Sequence, residues 1–318
     1  MARKFYIQTR LYNVNDRLAS LYLCENVDRI IDQKQLTNFE HCYLPYRDSD
    51  KQISGDVPDV GKAIFEQDVK TLKACSGIIG NYDGVGYDSG CGFEIGLSYA
   101  YGYPINLIST DFMKWGMTRG DLEIKYYTGS AFLQYVANII SIIEDDPSIT
   151  DYRTQQESLR DQNVQALIDQ LIQDFHVEKP PVPLERSPQQ FDLFIDPGFS
   201  DTQSGNQMAN TLTSQLLEKK ITFSRGNNQM PEMCIDKLRA CSVALFSGDT
   251  FEHDLDSCIL QGIAYGLGIP IIMYSSNRHR YNDGRMIGQK NVMITQSATK
   301  MIDKIEDVIS TYQEIVNK

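Results

Sequence analysis

The sequence predicts an α/β protein of two tandem flavodoxin-like or Rossmann-like domains, each with a parallel sheet of about five strands. Three observations predict this fold. Short apolar strand candidates alternate with helical segments. The second half of the chain repeats the first, and a proline-rich segment separates the halves. Strands joined through helices require right-handed crossovers, which produce a parallel sheet covered on both faces.

In the first half the predicted strands and helices alternate along the chain. The strand candidates are Phe5–Thr9, Cys42–Pro45, Gly77–Tyr82, Pro104–Ser109 and a fifth near Ile124–Thr128. The helix candidates are Asp16–Ile31, Val60–Cys75, Gly92–Tyr101 and Ser130–Ile143. Ligands of open parallel sheets bind beyond the carboxyl ends of the strands, so a site is expected among the residues that follow each strand.

An internal repeat relates the two halves at an offset of 166 residues. Residues 72–76 read Leu-Lys-Ala-Cys-Ser, and residues 238–242 read Leu-Arg-Ala-Cys-Ser. Further pairs coincide at the same offset: Asp83 with Asp249, Asp88 with Asp254, Gly96 with Gly262, Gly102 with Gly268 and Pro104 with Pro270. The opening strands agree at another offset, Phe5–Gln8 with Leu193–Asp196. This pattern indicates a tandem duplication.

A change of composition separates the copies. Pro147 ends the preceding helix, since proline cannot continue one. Residues 151–175 carry apolar side chains at helical spacing, and residues 179–183, Lys-Pro-Pro-Val-Pro, form an extended stretch. We therefore predict a first domain at 1–146, a linker helix and proline-rich connector at 147–188, and a second domain at 189–318.

The composition restricts the partners and the compartment. The 318 residues include 42 acidic and 30 basic side chains, a net charge of −12 that disfavours nucleic acid polymers and anionic membranes. No apolar run approaches the roughly 20 residues of a membrane span, and the first residues lack the apolar core of a signal peptide. Seven cysteines without a CxxC motif indicate reduced thiols. We expect a cytoplasmic protein.

The chemistry is expected in a glycine-rich segment after the third strand. Residues 83–96 hold five glycines and the acids Asp83, Asp88 and Glu94. Glycines allow the backbone to approach a ligand closely, whereas three carboxylates would repel a pyrophosphate. Alone, Glu94 would be a solvated acid in the first turn of a helix. Its neighbours Phe93 and Ile95 indicate instead a partly buried, oriented carboxylate, which nucleophilic attack on an anomeric carbon requires.

These residues resemble the nucleoside 2-deoxyribosyltransferase family. The resemblance rests on residues 88–96, Asp-Ser-Gly-Cys-Gly-Phe-Glu-Ile-Gly, on Tyr6 in the first strand, and on Phe65-Glu-Gln-Asp68. It covers residues 4 to about 115.

The resemblance implies a retaining exchange of nucleobases through a covalent glutamyl intermediate. Glu94 would be the nucleophile, Tyr6 would orient it, Asp68 would handle the proton of the base, and Asp88 would bind the deoxyribose hydroxyls. The substrates would be a nucleoside or nucleotide and a free nucleobase, with no metal or organic cofactor. Family members assemble into homo-oligomers in which neighbouring subunits complete each site.

Five further residues of the first domain are predicted to contact the substrate: Asp83, Gly90, Gly92, Arg10 and Trp115.

The first domain also departs from the family at two places. Arg10 stands where many members carry small residues, and a phosphate contact and a surface position are both open for it. The asparagine that neighbouring subunits supply in the family has no clear equivalent in residues 114–122.

The second copy is predicted to be non-catalytic. Leu260 occupies the position of Glu94, and Cys234 occupies that of Asp68. Asp254 and Asp256 are interpreted as a solvated turn. The second domain would complete the first domain's site, as a neighbouring subunit does, or act as its scaffold.

Three functions remain open from the sequence. The first is transfer of 2-deoxyribose between bases. The second is hydrolysis of the N-glycosidic bond of nucleosides or their 5′-monophosphates, which uses the same carboxylate with water as acceptor. The third is a non-catalytic nucleotide-binding sensor, to which a desolvated carboxylate near an anomeric carbon would bring no advantage.

Overall fold

The structure of the chain is a computed structural model that describes residues 3–10, 14–49, 59–82, 88–109, 115–119, 122–126, 130–144, 146–176, 181–200, 203–226, 230–249, 254–276 and 291–318. These residues form two compact units. The first comprises Met1–Val85 and Tyr101–Val182, and the second comprises Gly86–Ala100 and Pro183–Lys318. The domain boundaries at 146 and 189 stay a prediction.

Helices and strands alternate through most of the chain. The first part contains β1 Phe5–Gln8, α1 Val14–Gln33, α2 Pro45–Asp48, α3 Val60–Ala74, β2 Gly77–Asn81, α4 Ser89–Ala100, β3 Ile105–Ile108, β4 Trp115–Arg119, β5 Leu122–Tyr126, α5 Ala131–Val136, β6 Asn138–Ile140 and α6 Tyr152–His176. The second part contains β7 Phe191–Ile195, α7 Gln203–Glu218, β8 Phe223–Arg225, α8 Pro231–Arg239, β9 Cys241–Ser247, α9 Leu255–Gly266, β10 Ile271–Tyr274, α10 Val292–Ser297, β11 Lys300–Ile302 and α11 Val308–Val316.

The sheet of the first unit is parallel, in the order β1-β2-β3-β6. Beyond β1 the sheet is extended by two isolated bridges, one between Arg3 and Phe39 and one between Tyr6 and Tyr43. The Tyr43 N–H donates to Phe5 O and its carbonyl accepts from Ile7 N, both at 2.8 Å. The predicted second strand is this short because Pro45 has no N–H to donate and already begins α2.

The sheet of the second unit repeats the same order. Its five parallel strands run β11-β10-β9-β7-β8, so β8 takes the place that Tyr43 holds beside β1. Two parallel sheets within an α/β fold confirm the predicted fold class. None of the described helices is long and apolar enough to cross a membrane.

Two predicted elements of the first half differ in the structure. A strand is present near the predicted Ile124–Thr128, as β5 Leu122–Tyr126, but it pairs antiparallel with β4 in a separate two-stranded sheet and does not join the parallel sheet. The helix at Ser130–Ile143 ends at Val136, and the chain then becomes extended at Ala137. Residues 138–140 instead form β6, the parallel edge strand beside β3, since the Ile139-Ile140 pair suits a half-buried strand as well as a helix.

The core of the first unit lies on one face of its sheet. Phe5 and Ile7 of β1 pack there with α1 and with Val164, Leu167 and Leu171 of α6. The predicted linker helix therefore covers this sheet as α6. Tyr6 and Gln8 alternate with Phe5 and Ile7, so they face the other side of β1.

In the second unit α4 and α9 cross at two glycines. A Cβ on Gly96 would overlap the carbonyl oxygen of Ile259, and a Cβ on Gly262 would overlap that of Phe93. Both pairs, 93 with 259 and 96 with 262, match at the repeat offset of 166. The two copies thus contribute equivalent residues to a symmetric helix pair whose main chains are in direct contact.

Both helices end in the same way. Gly102 and Gly268, which coincide in the repeat, have φ angles of 70° and 65°. This left-handed conformation is common in glycine after a helix and is disfavoured in residues with a Cβ. The repeat therefore holds in conformation as well as in sequence.

We expect Gly96→Ala or Gly262→Ala to destabilise the protein. Either methyl group would force the α4–α9 main chains apart, and overpacking of this kind costs about 3 kcal/mol. Guanidinium denaturation followed by circular dichroism would measure the change. As a control, Glu218→Ala at the exposed end of α7 should change the free energy of unfolding by less than about 0.5 kcal/mol. Unchanged midpoints for both glycine variants would contradict the close crossing.

Candidate functional site

The residues predicted for the site lie in both units, and each group is described within its own unit. The first unit holds Tyr6, Arg10 and Asp68, and the second holds Asp88, Gly90, Gly92 and Glu94. Asp83 lies outside the described residues, and Trp115 begins β4.

Tyr6 and Asp68 belong to a buried cluster of the first unit. Tyr6 is fully buried, and its ring centroid lies 5.7 Å from that of Tyr43. Asp68 is 7% exposed and accepts a hydrogen bond from Ser49 Oγ at 3.4 Å. Burial raises the pKa of Tyr43, and the negative charge of Asp68 adds to the rise. Tyr43 therefore connects Tyr6 with Asp68.

Arg10 lies two residues after β1. Its Nη2 is 3.7 Å from Asp16 Oδ1 in the first turn of α1, and its side chain is 30% exposed. The guanidinium thus has a protein carboxylate beside it, whereas the sequence left a phosphate contact and a surface position open.

Asp88 caps the start of α4. Its Oδ1 accepts hydrogen bonds from Gly90 N at 2.8 Å and from Cys91 N at 3.4 Å. A third donor is Nδ2 of Asn291, at 2.9 Å. Asp88 is buried, so its oxygen is held by three N–H groups where water has little access.

Asn291 is a residue that the sequence analysis missed. Its Oδ1 accepts from Met293 N at 2.9 Å, which caps α10, while its Nδ2 binds Asp88. The one available signal was an asparagine directly before an apolar segment, which is a preferred helix-capping position.

The glycines at the start of α4 make room for the second copy. A Cβ on Gly90 would overlap the Asn291 side chain, and a Cβ on Gly92 would overlap the side chains of Leu255 and Cys258. This packing explains, without any contact to a substrate, why residues 90 and 92 are glycines. Their contact with substrate stays a prediction.

Glu94 is buried on α4, with 8% of its surface exposed. Its neighbours Phe93 and Ile95 are fully buried, and the ring centroids of Phe93 and Tyr265 lie 5.6 Å apart. Because Gly96 fixes α4 against α9 at main-chain distance, Glu94 has a well-defined position. A desolvated carboxylate of fixed orientation suits attack on an anomeric carbon.

The counterparts in the second copy carry no charge at the key positions. Leu260, at the position of Glu94, is fully buried, and Cys234, at the position of Asp68, donates through Sγ to Gly226 O at 3.1 Å. Gln261, which follows Leu260, donates to Ile294 O at 2.9 Å and to Ser297 Oγ at 2.8 Å. It thereby binds α10, the helix that Asn291 caps, to α9.

Asp254 is a helix cap, and its interpretation as part of a solvated turn was wrong. It caps α9 as Asp88 caps α4, accepting from Asp256 N at 3.0 Å and Ser257 N at 3.3 Å. Its Oδ2 also lies in hydrogen-bond contact with Ser257 Oγ. The same hydroxyl lies 2.6 Å from Asp196 Oδ1, and Asp196 is fully buried at the end of β7.

One hydroxyl proton cannot serve two carboxylates. Since Ser257 Oγ lies between Asp196 and Asp254, one of the two acids must carry a proton when the cluster is formed. Burial raises the pKa of Asp196 well above its ordinary value, and the charge of Asp254 raises it further. Burial also raises the pKa of Asp254. The second copy thus has a buried acid pair with raised pKa values, of which Asp196 directly follows β7.

The sequence model of the nucleoside 2-deoxyribosyltransferase family matches residues 19–127, about a third of the chain. This part of the chain is similar to the nucleoside 2-deoxyribosyltransferase family. The match includes Asp68, Asp88 and Glu94, whereas Tyr6 and Arg10 precede it.

The chain is similar to a solved structure, that of a conserved protein from Enterococcus faecalis V583, with 23% identity and a TM-score of 0.30. The similarity covers 35% of this chain and 66% of that chain, slightly less than two thirds of its length. No curated protein matches the sequence.

The buried acid pair predicts a pH dependence of stability. Because the pKa of Asp196 is raised in the folded state, the folded protein binds more protons than the unfolded chain, and stability falls as the pH rises above the ordinary aspartate pKa of about 4. We expect Asp196→Asn to flatten this fall, since the amide stays neutral. Urea denaturation between pH 4.5 and pH 8 would measure it. Asp303→Asn on the exposed surface should leave the wild-type slope, and an unchanged slope in D196N would contradict the pair.

Proposed function

We propose that the protein transfers a 2-deoxyribosyl group between nucleobases through a covalent ester on Glu94. The observation that carries the proposal is the buried carboxylate of Glu94 on a rigidly packed helix, inside the residues that match the family. A comparison with the second copy supports the proposal further. The same helix position holds Leu260, which packs as well without a charge, so packing alone does not require an acid at residue 94.

The proposed reaction consists of two displacements at one carbon. The Glu94 carboxylate attacks C1′ of the nucleoside as the C1′–N bond breaks, and the departing base takes the proton that Asp68 supplies. A second base then attacks C1′, the ester bond breaks, and the carboxylate is restored as the proton of the incoming base passes to Asp68. Two inversions give overall retention of configuration.

The second copy is proposed to complete the site. Its Asn291 holds the oxygen of Asp88, the residue that the resemblance assigns to the deoxyribose hydroxyls. Gln261 holds α10, from which Asn291 extends. This arrangement gives the non-catalytic copy a direct part in orienting a substrate-binding carboxylate, and the carboxylate–amide contact lies within one chain.

We expect Glu94→Gln to abolish base exchange. The amide keeps the shape of the side chain but cannot form the ester, so the rate should fall by at least about a thousandfold. Thymidine or deoxyinosine would be incubated with and without free adenine, and the products separated by chromatography. Deoxyadenosine formed only when adenine is present, and lost in E94Q, would support transfer.

The control for this experiment is Glu232→Gln, in the first turn of α8, which should retain full activity. Free base and deoxyribose without exchange would replace transfer by hydrolysis. Absence of both products, with deoxynucleosides and with their 5′-monophosphates, would overturn the catalytic proposal in favour of binding without turnover.

We expect Asn291→Asp to raise the KM for the nucleoside by about tenfold or more, since one hydrogen bond to a charged group is worth roughly 1.5–3 kcal/mol. Aspartate still caps α10 through its oxygen, but it cannot donate to Asp88 and it places a like charge beside it. Steady-state kinetics and thermal unfolding would be measured together.

Two further variants separate positioning from folding. Asn291→Ala should lose the cap of α10 as well, and with it about 1 kcal/mol of stability. Gln296→Ala, on the same helix, should change neither quantity. A wild-type KM in N291D would show that the contact with Asp88 has no part in substrate binding.

A further inference from the structure

The strand order of the first unit marks the place where a ligand is expected. With Tyr43 on one side of β1 and β2 on the other, the order of the strands reverses between β1 and β2. Ligands of open parallel sheets bind at this reversal, beyond the carboxyl ends of the strands. Gln8 is the last residue of β1 and pairs in register with Gly80 of β2, so it stands at this position.

The Gln8 side chain is buried without a hydrogen-bond partner. Gln8 is 1% exposed, and neither Oε1 nor Nε2 has a partner in the described part of the chain. Buried amides are paired in nearly all native structures, because an unpaired one has lost its hydration without replacement. Both polar atoms of one side chain left unpaired therefore indicate a missing partner.

The amide lies on the face of the sheet that carries the candidate site. Gln8 alternates with Ile7 and so shares the face of Tyr6, opposite the core formed with α1 and α6. Tyr6 packs on Tyr43, and the negative charge of Asp68 contributes to the raised pKa of Tyr43. A Cβ on Gly80 would overlap the carbonyl oxygen of Gln8 and would lie 3.0 Å from its Oε1, so the glycine admits both the main chain and the amide of Gln8.

The second copy provides an internal comparison at the same place. Asp196, which corresponds to Gln8 in the repeat, directly follows the first strand of its sheet, beside the strand-order reversal. Its Oδ1 is bonded to Ser257 Oγ at 2.6 Å, and its Oδ2 accepts from Ser247 N at 3.2 Å. In the second copy, the side-chain polar atoms of Asp196 thus have hydrogen-bond partners within the protein. In the first copy, the side-chain polar atoms of Gln8 have none among the described residues.

We propose that Gln8 binds the edge of the substrate's nucleobase through its amide. The inference rests on the proposed function for the identity of the ligand. A glutamine amide presents an acceptor and a donor side by side, which matches the adjacent donor and acceptor on a base edge. Rotation of the amide exchanges the two atoms, so one side chain accepts both 6-amino and 6-oxo purines. Gln8 is therefore a specificity residue of broad tolerance.

Calorimetric titration with free adenine and free hypoxanthine tests the inference apart from turnover and apart from the sugar. Gln8→Met keeps the length and removes both polar atoms, and its Kd for each base should rise by about tenfold or more. Gln8→Glu retains acceptors alone when ionised, whereas each base presents one donor beside one acceptor, so at pH 8 its Kd for both bases should also rise relative to the wild type. Equal Kd values in all three proteins would overturn the inference.

The stability of the ligand-free protein separates a binding role from a structural one. Removal of an unpaired buried amide should leave the melting temperature of Q8M unchanged or raised, while the rise caused by added base should shrink. A lower melting temperature in ligand-free Q8M would show that the amide has a structural partner, and would overturn the inference.

The two proposals fail in different ways. Base binding that depends on Gln8, without exchange or hydrolysis, would retain this inference and overturn the proposed transfer. Exchange activity with unaltered base affinity in Q8M would retain the transfer and overturn this inference. No base binding by the wild-type protein would overturn the role of Gln8, and the exchange assay would then decide the transfer by itself.

Discussion

The close crossing of α4 and α9 is the constraint on which the second unit and its candidate site residues depend. Gly96 and Gly262 each admit a carbonyl oxygen of the opposite helix, so the contact permits almost no change of distance or angle. The residue pairing is reciprocal, as in the interface of a two-fold symmetric dimer. The crossing fixes the positions of Glu94 on α4 and of its cap Asp88, and those of Gln261 on α9 and of its cap Asp254.

The two copies share the residues that determine the backbone and differ in two acidic residues of the candidate site. Both copies keep the capping aspartate and the left-handed glycine at the helix end, which the backbone requires. Two of the residues that differ are not required by the backbone, with Leu260 in place of Glu94 and Cys234 in place of Asp68. A position that is acidic in one copy and apolar in the other, with unaltered packing, marks chemistry more clearly than burial alone.

Much of this arrangement follows from local sequence, and the remainder depends on distant contacts. The helices over residues 14–33 and 60–74 and the buried strands at Gly77 and Ile105 follow from apolar periodicity. Periodicity could not separate β6 from the end of α5, because three residues are fewer than one helical turn. Likewise Asn291 reaches Asp88 across 203 residues, a distance over which no local pattern carries information.

The contact between Asn291 and Asp88 joins the two halves of the duplication within one polypeptide. Where separate subunits complete each other's sites, the complete form is lost on dilution below the dissociation constant of the assembly. Here the encounter is intramolecular, so its effective concentration is fixed by the chain and does not depend on how much protein is present. Fusion therefore keeps the local contact that the second copy provides at any expression level.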